Sequence, residues 1–157
     1  MSDTPAFLAE RLLNEGQKTI EFYKAVEPSQ WEKVVYTEGM CWTVQQVLAH
    51  FVATERAIQR LMKNILEGGP GSPEGFEIDV YNERKVAGLK ESTPRELIEQ
   101  FGLLRQNSVT LVSNMTQDDL NRRGRHPFLG VTELAEIIKL LYRHNQIHQR
   151  EVRKVFV

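Results

Sequence analysis

Apolar side chains recur at helical spacing along four long stretches of this chain, and that periodicity restricts its fold more than any other feature. The third stretch is the clearest example, because its apolar or small residues are separated alternately by four and three positions, as in helices packed into a bundle. It opens at residues 93–96, where a capping threonine, a proline and a glutamate form a helix start signal. The predicted inward face consists of Leu97, Phe101, Leu104, Ser108, Leu111 and Met115.

Three other stretches show the same helical period. The predicted long helices run over residues 4–26, from a capping Thr43 to Glu67, and from about Thr132 to near the C-terminus. A shorter helix is predicted at residues 78–89. In the last long helix, the side chains expected inside are Leu134, Ile137, Ile138, Leu141, Ile147, Val152 and Val155.

The expected fold is an all-α four-helix bundle that residues 1–157 form as a single domain. A chain of 157 residues, 41% hydrophobic and 26% charged, is large enough for one core. Short helical turns are expected beside the four long helices, and a long crossover after the Gly/Pro-rich residues 68–73 joins the second to the third. Helices adjacent in sequence therefore need not be neighbours in the bundle. No segment has the alternating pattern of a strand, and residues 121–127 are predicted to be a polar loop.

The charge balance of the chain disfavours two classes of partner. A net charge of −1 and a pI near 6.4 argue against a dedicated nucleic-acid or acidic-membrane binder, which is usually basic. No apolar run approaches the roughly 18 residues of a membrane span, and the first residues lack the basic and apolar regions of a signal peptide. The single cysteine, Cys41, excludes an internal disulfide and fits a reducing cytosol. A cytoplasmic protein without a nucleic-acid or membrane partner is expected.

Three histidines form the pattern with the most chemical content. His144 and His148 stand four residues apart in the last helix, a spacing that places both on one face. His50 lies on the inner side of the second helix. Imidazoles buried without polar partners are costly, and a shared divalent metal would supply the partner. Three histidines leave a fourth position for water or substrate, as in catalytic zinc sites, whereas structural zinc normally has four protein ligands.

A plainer interpretation of these histidines also exists. Two of them would be half-buried and hydrogen-bonded to the backbone, with the third at the surface, since an H-x-x-x-H pair often arises by chance. The site is not that of a zincin, because Asn145 follows His144 and the glutamate base of H-E-x-x-H is absent. Any base must come from elsewhere, or a metal-bound water or thiol must react directly.

The sequence resembles the DinB/YfiT-like superfamily of metal-dependent four-helix-bundle proteins over nearly its whole length. Residues 42–50 are similar to the pattern W-[ST]-x-x-x-[VIL]-x-x-H that opens the second helix of the superfamily, and residues 144–148 are similar to its final H-x-x-x-H. The resemblance implies a divalent metal, zinc or nickel, held by His50, His144 and His148. It also places the acidic stretch before the third long helix near the mouth of the metal site, so that Asp79, Asn82 and Arg84 are candidate substrate-binding residues.

The resemblance further implies a reaction class. Better understood relatives are transferases and isomerases that use low-molecular-weight thiols such as bacillithiol or mycothiol, so a thiol S-transferase or a related hydrolase with a small-molecule substrate is expected. A metal-bound thiol is deprotonated, and the thiolate is the nucleophile. Relatives often dimerise through bundle faces, which allows a homodimer here.

Two other functions stay open at the level of sequence. One is a non-catalytic stress-response or ligand-binding bundle whose metal is structural or regulatory. The other is a helical interaction module without metal.

Two single residues also have alternative interpretations. Cys41 precedes a helix N-terminus, which favours a thiolate, but a plain buried cysteine is the preferred interpretation. Ser108 could leave room for a pocket, although a hydroxyl bonding to its own helix is preferred.

Overall fold

Four long helices pack side by side in the computed structural model of the chain, which describes residues 3–157. They are α1 (Pro5–Lys24), α2 (Val44–Leu66), α4 (Pro94–Ser113) and α5 (Leu134–Lys154). A shorter helix, α3 (Ile78–Ala87), lies in the long crossover between α2 and α4. Single helical turns at Pro28–Gln30 and Asp119–Asn121 complete the helical part. The four-helix bundle and its crossover are confirmed.

Local capping chemistry determines where the long helices begin. Thr43 accepts a hydrogen bond from the Gln46 amide at 3.2 Å, and the Gln46 side chain accepts one from the Thr43 amide at 2.9 Å. Thr93 and Glu96 form the same reciprocal pair at 3.1 and 3.0 Å. Each pair satisfies two amides that would otherwise lack partners in the first turn. Both predicted helix starts are therefore confirmed.

The order of the helices around the bundle does not follow the sequence. Helix α1 packs against α4 and α5, and α2 also packs against α4 and α5. Within residues 3–157, the consecutive helices α1 and α2 are diagonal to each other, as are α4 and α5. The crossover permits this arrangement, because it is long enough for the chain to change sides of the bundle. As a result, α2 and α5 are neighbours although about seventy residues separate them.

A small hairpin replaces part of the predicted polar loop at residues 121–127. Strand β1 (Arg123–His126) pairs antiparallel with β2 (Gly130–Glu133), so the expectation of no strand was wrong. The Gly/Pro segment supports β1 from outside the hairpin, since the Arg125 amide donates to Pro70 O at 2.8 Å and the Ser72 amide donates to Arg125 O at 2.7 Å. These partners are about fifty residues away, which explains why the local sequence of β1 has no strand pattern.

The imidazole of His126 closes the hairpin. Its Nδ1 accepts hydrogen bonds from the amides of Phe128 at 3.0 Å and Leu129 at 3.2 Å, which requires a neutral ring with its proton on Nε2. Burial lowers the pKa of His126 to about 4. The unfolded chain, with a histidine pKa of about 6.5, therefore takes up the proton first as the pH falls.

We expect wild-type protein to lose stability relative to a His126→Asn variant as the pH falls from about 6.5 to about 4, by on the order of 2 kcal/mol. An asparagine oxygen can accept the same amides but does not titrate, and the contributions of the other three histidines cancel between the two proteins. Urea unfolding at several pH values measures this difference. A constant difference across that pH range would contradict the assignment.

A polar layer divides the bundle core into two apolar halves. One half contains the start of α1 and the end of α2, with Leu12, Met62 and Ile137 among its members. The other contains the end of α1 and the start of α2, with Tyr23 and Phe51 among its members. The buried polar side chains between the two halves come from all four long helices. They are Thr19, Glu55, Arg105, Ser108, Asn145 and Gln149.

Two predicted core positions on α4 were assigned to the wrong residues. Arg105 and Val112 are buried, whereas Leu104 and Leu111 are only partly so. Leu104 and Leu111 each lie one position before the buried residue, and both still pack against the core from its edge. On α5, Ile147 is 54% exposed and not inside, because the polar Asn145 and Gln149 take the inward positions.

Candidate metal centre

The three predicted histidines meet at the contact between α2 and α5. His50 comes from the first half of α2, and His144 and His148 come from consecutive turns of α5. The Nε2 atom of His144 lies 2.9 Å from Nε2 of His50 and 3.0 Å from Nε2 of His148. All three ligand atoms lie within 4.8 Å of one another.

This geometry fits a tetrahedral metal ion. Zinc–nitrogen bonds of about 2.0–2.1 Å would place two tetrahedral ligands roughly 3.3 Å apart, close to the 2.9 and 3.0 Å from Nε2 of His144 to the other two nitrogens. Protons alone fit less well, because the single in-plane site on Nε2 of His144 faces two other nitrogens and can form a good hydrogen bond with only one. One cation can accept the lone pairs of all three nitrogens.

Burial keeps the three rings neutral, as metal ligands must be. It lowers the pKa of His50 to about 3, with the charge of His148 as a smaller cause. Burial also lowers the pKa of His148 to about 4. The pKa of His144 lies well below its usual range, because burial and then the charges of the other two histidines disfavour its protonated form.

Aromatic rings form the walls of the cluster. The ring of Trp42 lies 4.7 Å from that of His50, centroid to centroid, and Phe51 lies 5.7 and 5.8 Å from His144 and His148. Trp42 is the tryptophan of the helix-opening pattern, and it is buried. His50 is buried, whereas His144 and His148 are half-buried, so the cluster is more exposed at its α5 histidines. Within residues 3–157, no cysteine or carboxylate joins the three histidines as a fourth ligand.

Tyr36 is a functional candidate that sequence reasoning missed. Its hydroxyl forms a hydrogen bond with Nδ1 of His148, the nitrogen opposite the one that points into the cluster. Burial raises the pKa of Tyr36, and the charge of Glu151 adds to the effect, so the phenol stays protonated. The residue lies in the irregular segment before α2, where nothing in the local sequence indicated a contact with a helix more than a hundred residues later.

The other two outward-facing nitrogens differ in their partners. Nδ1 of His50 lies 3.4 Å from Oγ1 of Thr54, one turn further along α2. Nδ1 of His144 is buried and has no hydrogen-bond partner among the described residues. Two of the three histidines therefore have a polar group that can orient the ring, and metal-binding histidines usually have such a partner.

A buried ion pair lies beside the cluster in the polar layer. Arg105 of α4 donates two hydrogen bonds to the carboxylate of Glu55 on α2, at 2.9 and 3.0 Å. The same guanidinium donates to Leu12 O on α1 at 3.1 Å and to Oδ1 of Asn145 on α5 at 2.7 Å. One side chain thus joins all four long helices. Asn145 follows the candidate ligand His144 directly.

Ser108 completes this ion pair, a role that neither sequence interpretation foresaw. It is fully buried, donates to Oε2 of Glu55 at 2.8 Å and accepts from the Gln59 side chain at 2.9 Å. Glu55 and Arg105 were missed because single charged residues at inward helical positions look like breaks in an apolar stripe. Only the two residues together indicate a buried ion pair, because they carry opposite charges at inward positions of two different helices.

The remaining candidates are more exposed. Asp79 and Arg84 are exposed on α3, and Asn82 beside them is partly buried. No described hydrogen bond or ring contact joins these residues to the three histidines, so their substrate-binding role stays a prediction. Cys41 is exposed, on the loop directly before Trp42, so the interpretation of Cys41 as a buried cysteine was wrong.

Comparison with known proteins identifies related folds. A family model described as the DinB superfamily matches residues 11–152. No protein of curated function matches the chain in sequence.

Among residues 3–157, no helix has the length and apolar character needed to cross a membrane.

Three solved structures are similar over most of this chain. YfiT from Bacillus subtilis, reported as "a probable metal-dependent hydrolase with an unusual four-helix bundle topology", is 17% identical, with a TM-score of 0.77 over 94% of this chain and 82% of that one. A mycothiol-dependent maleylpyruvate isomerase is 15% identical, with a TM-score of 0.70 over 92% of this chain and 60% of that one. The colibactin self-resistance protein ClbS, solved in complex with double-stranded DNA, is 11% identical, with a TM-score of 0.73 over 98% and 96%. At these identities the likeness establishes the fold.

Proposed function

The chain belongs to the DinB superfamily, and we propose that it is a metal-dependent enzyme that acts on a small molecule through an open three-histidine site. The observation that carries this proposal is the convergence of three Nε2 atoms, from His50, His144 and His148, without a fourth protein ligand among residues 3–157. A vacant fourth position distinguishes catalytic sites from structural ones.

The proposed metal is zinc or nickel, which imidazole ligands suit. When bound, such a metal would lower the pKa of a thiol or water in its open position. The protein itself would hold His148 in orientation through Tyr36, and the rings of Trp42 and Phe51 would exclude water from one side. Asp79, Asn82 and Arg84 are proposed substrate contacts at the mouth of the site.

The proposed reaction is transfer of a low-molecular-weight thiol to an electrophilic substrate. The fold shared with a mycothiol-dependent isomerase supports this class, and a single cysteine fits a reducing cytosol where such thiols occur. Hydrolysis is the second candidate, supported by the fold shared with YfiT. A non-catalytic bundle with a regulatory metal is the remaining alternative. It is favoured because no carboxylate among residues 3–157 joins the three histidines, and the nearby Glu55 is already paired with Arg105.

Turnover assays on zinc- or nickel-loaded protein separate these functions. We expect thiol-dependent consumption of an electrophile, such as a maleimide or an epoxide, with a panel of thiols that includes mycothiol and bacillithiol. A His50→Ala variant should show only the uncatalysed rate, because the metal site would lose one of its three ligands. Assays with ester substrates and no added thiol test for hydrolase activity.

Two outcomes would count against the enzyme. Equal rates for wild type and His50→Ala with every thiol and ester would contradict both reactions. Stoichiometric metal without any turnover would favour the non-catalytic alternative. The variant should first be shown to unfold cooperatively, so that a lost rate reflects the site and not the fold.

A further inference from the structure

A groove of about 330 Å³ between α2 and α3 concentrates positive charge. Arg56 and Arg60 line it from α2, and Arg84 and Lys85 line it from α3. All four side chains are exposed. The whole chain has a net charge of −1, so this concentration does not reflect a general excess of basic residues.

The ring of Tyr81 gathers three of these cations. Its hydroxyl accepts a hydrogen bond from Arg60 at 2.7 Å. The guanidinium carbon of Arg84 lies 5.6 Å from the ring centroid, and Nζ of Lys85 lies 5.4 Å from it. Both distances fall within the range of a cation–π contact. A neutral ring attracts cations but cannot cancel their mutual repulsion.

The four groove cations lack ion-pair partners among the described carboxylates. Among residues 3–157, none of the four cations takes part in an ion pair within 4.0 Å, and the one partner of Arg56 is the neutral Gln100, at 3.0 Å. Other exposed arginines of the chain do have acidic partners, for example Arg95 with Glu99. Bringing four like charges together without counter-charge is unfavourable, and a bound anion would relieve it.

We propose that this groove binds a small polyanion that carries phosphate or carboxylate groups next to an apolar part. Guanidinium groups present planar forks that match both kinds of anion. The Tyr81 ring and Leu89 supply apolar surface, and the small, buried Ala53 lies at the base of the groove. Arg84 is also one of the substrate contacts proposed above, but Arg56, Arg60 and Lys85 have no part in the metal-dependent reaction, and none of the four cations belongs to the histidine cluster. The anion site therefore goes beyond the proposed reaction.

Calorimetric titration with two aromatic probes tests the groove. Phenyl phosphate and phthalate combine a ring with a phosphate or with two carboxylates, and both are weak chelators. We expect saturable binding that weakens between 20 and 200 mM salt, as it does for exposed charges. An Arg60→Gln/Arg84→Gln double variant should weaken it by about tenfold or more. Binding of only one probe identifies the anion class and supports the groove.

Matched variants define the outcomes. Arg95→Gln removes one exposed charge outside the groove and should leave probe affinity unchanged. Tyr81→Phe keeps the ring but removes the hydroxyl that holds Arg60, and should weaken binding by a smaller factor. His144→Ala should not change it. The proposal is overturned if neither probe binds at about 10 mM, if the double variant binds as wild type does, or if His144→Ala abolishes binding.

Discussion

His144→Ala should abolish stoichiometric binding of zinc or nickel, which wild-type protein is expected to bind at one ion per chain. The Nε2 atom of His144 lies between those of His50 and His148, so its removal leaves two ligands that share no third partner. The loss of affinity should exceed the 10–100-fold that removal of an outer-shell partner typically costs. Elemental analysis of untagged protein and titration against a chromogenic chelator measure the stoichiometry and the affinity.

A graded series makes this result specific. Tyr36→Phe removes only the hydroxyl beside Nδ1 of His148 and should weaken metal affinity by about tenfold without changing the stoichiometry. His126→Asn removes a histidine outside the cluster and should leave both values unchanged. Metal-free wild-type protein after exposure to both metals, or full retention of metal by His144→Ala, would refute the metal centre itself.

Glu55→Ala should lower the free energy of unfolding by about 3–5 kcal/mol, the typical cost of leaving a buried charge without its partner. The Arg105 side chain is 3% exposed, and its remaining partners, Leu12 O and Asn145, carry no charge that could replace the Glu55 carboxylate. Ser108 would lose its acceptor as well. Urea unfolding followed by circular dichroism measures the change.

Replacing both charges tests whether the pair or its surroundings stabilises the protein. A Glu55→Leu/Arg105→Met double variant should recover much of the stability that Glu55→Ala loses, because apolar side chains of similar volume need no partner. The exposed pair of Arg95 and Glu99 is a control, and Glu99→Gln should change stability by less than about 1 kcal/mol. If Glu55→Ala costs no more than this control, the buried pair does not hold the helices together.

The buried pair also bears on the candidate metal site. Glu55 follows Thr54, which contacts His50, and Arg105 bonds Asn145, which follows His144. The ion pair thus holds α2 and α5, the two helices that supply the histidines, in one register. We therefore expect Glu55→Ala to disturb the metal centre as well as the core.

Sequence patterns predicted the helices well because their causes are local. In each reciprocal capping pair, Thr43 with Gln46 and Thr93 with Glu96, the two residues are three positions apart. An apolar face repeats every turn of the helix. The same patterns missed the hairpin, because β1 consists of Arg, Gly and His, and one of its edges is held by Pro70 and Ser72, far away in the chain. They also missed Tyr36, whose contact with His148 spans 112 positions.

Four amphipathic helices, their capped starts, and three histidines on inward-facing positions of the second and last long helices follow from local sequence patterns. That α2 and α5 are neighbours, and that three Nε2 atoms converge, follows only from how the helices pack. The tertiary structure alone paired Glu55 with Arg105 and brought Tyr36 to His148. The physical reason is range: helix period and capping act within a few residues, whereas convergence of ligands depends on how the crossover and the buried polar layer set one helix against another.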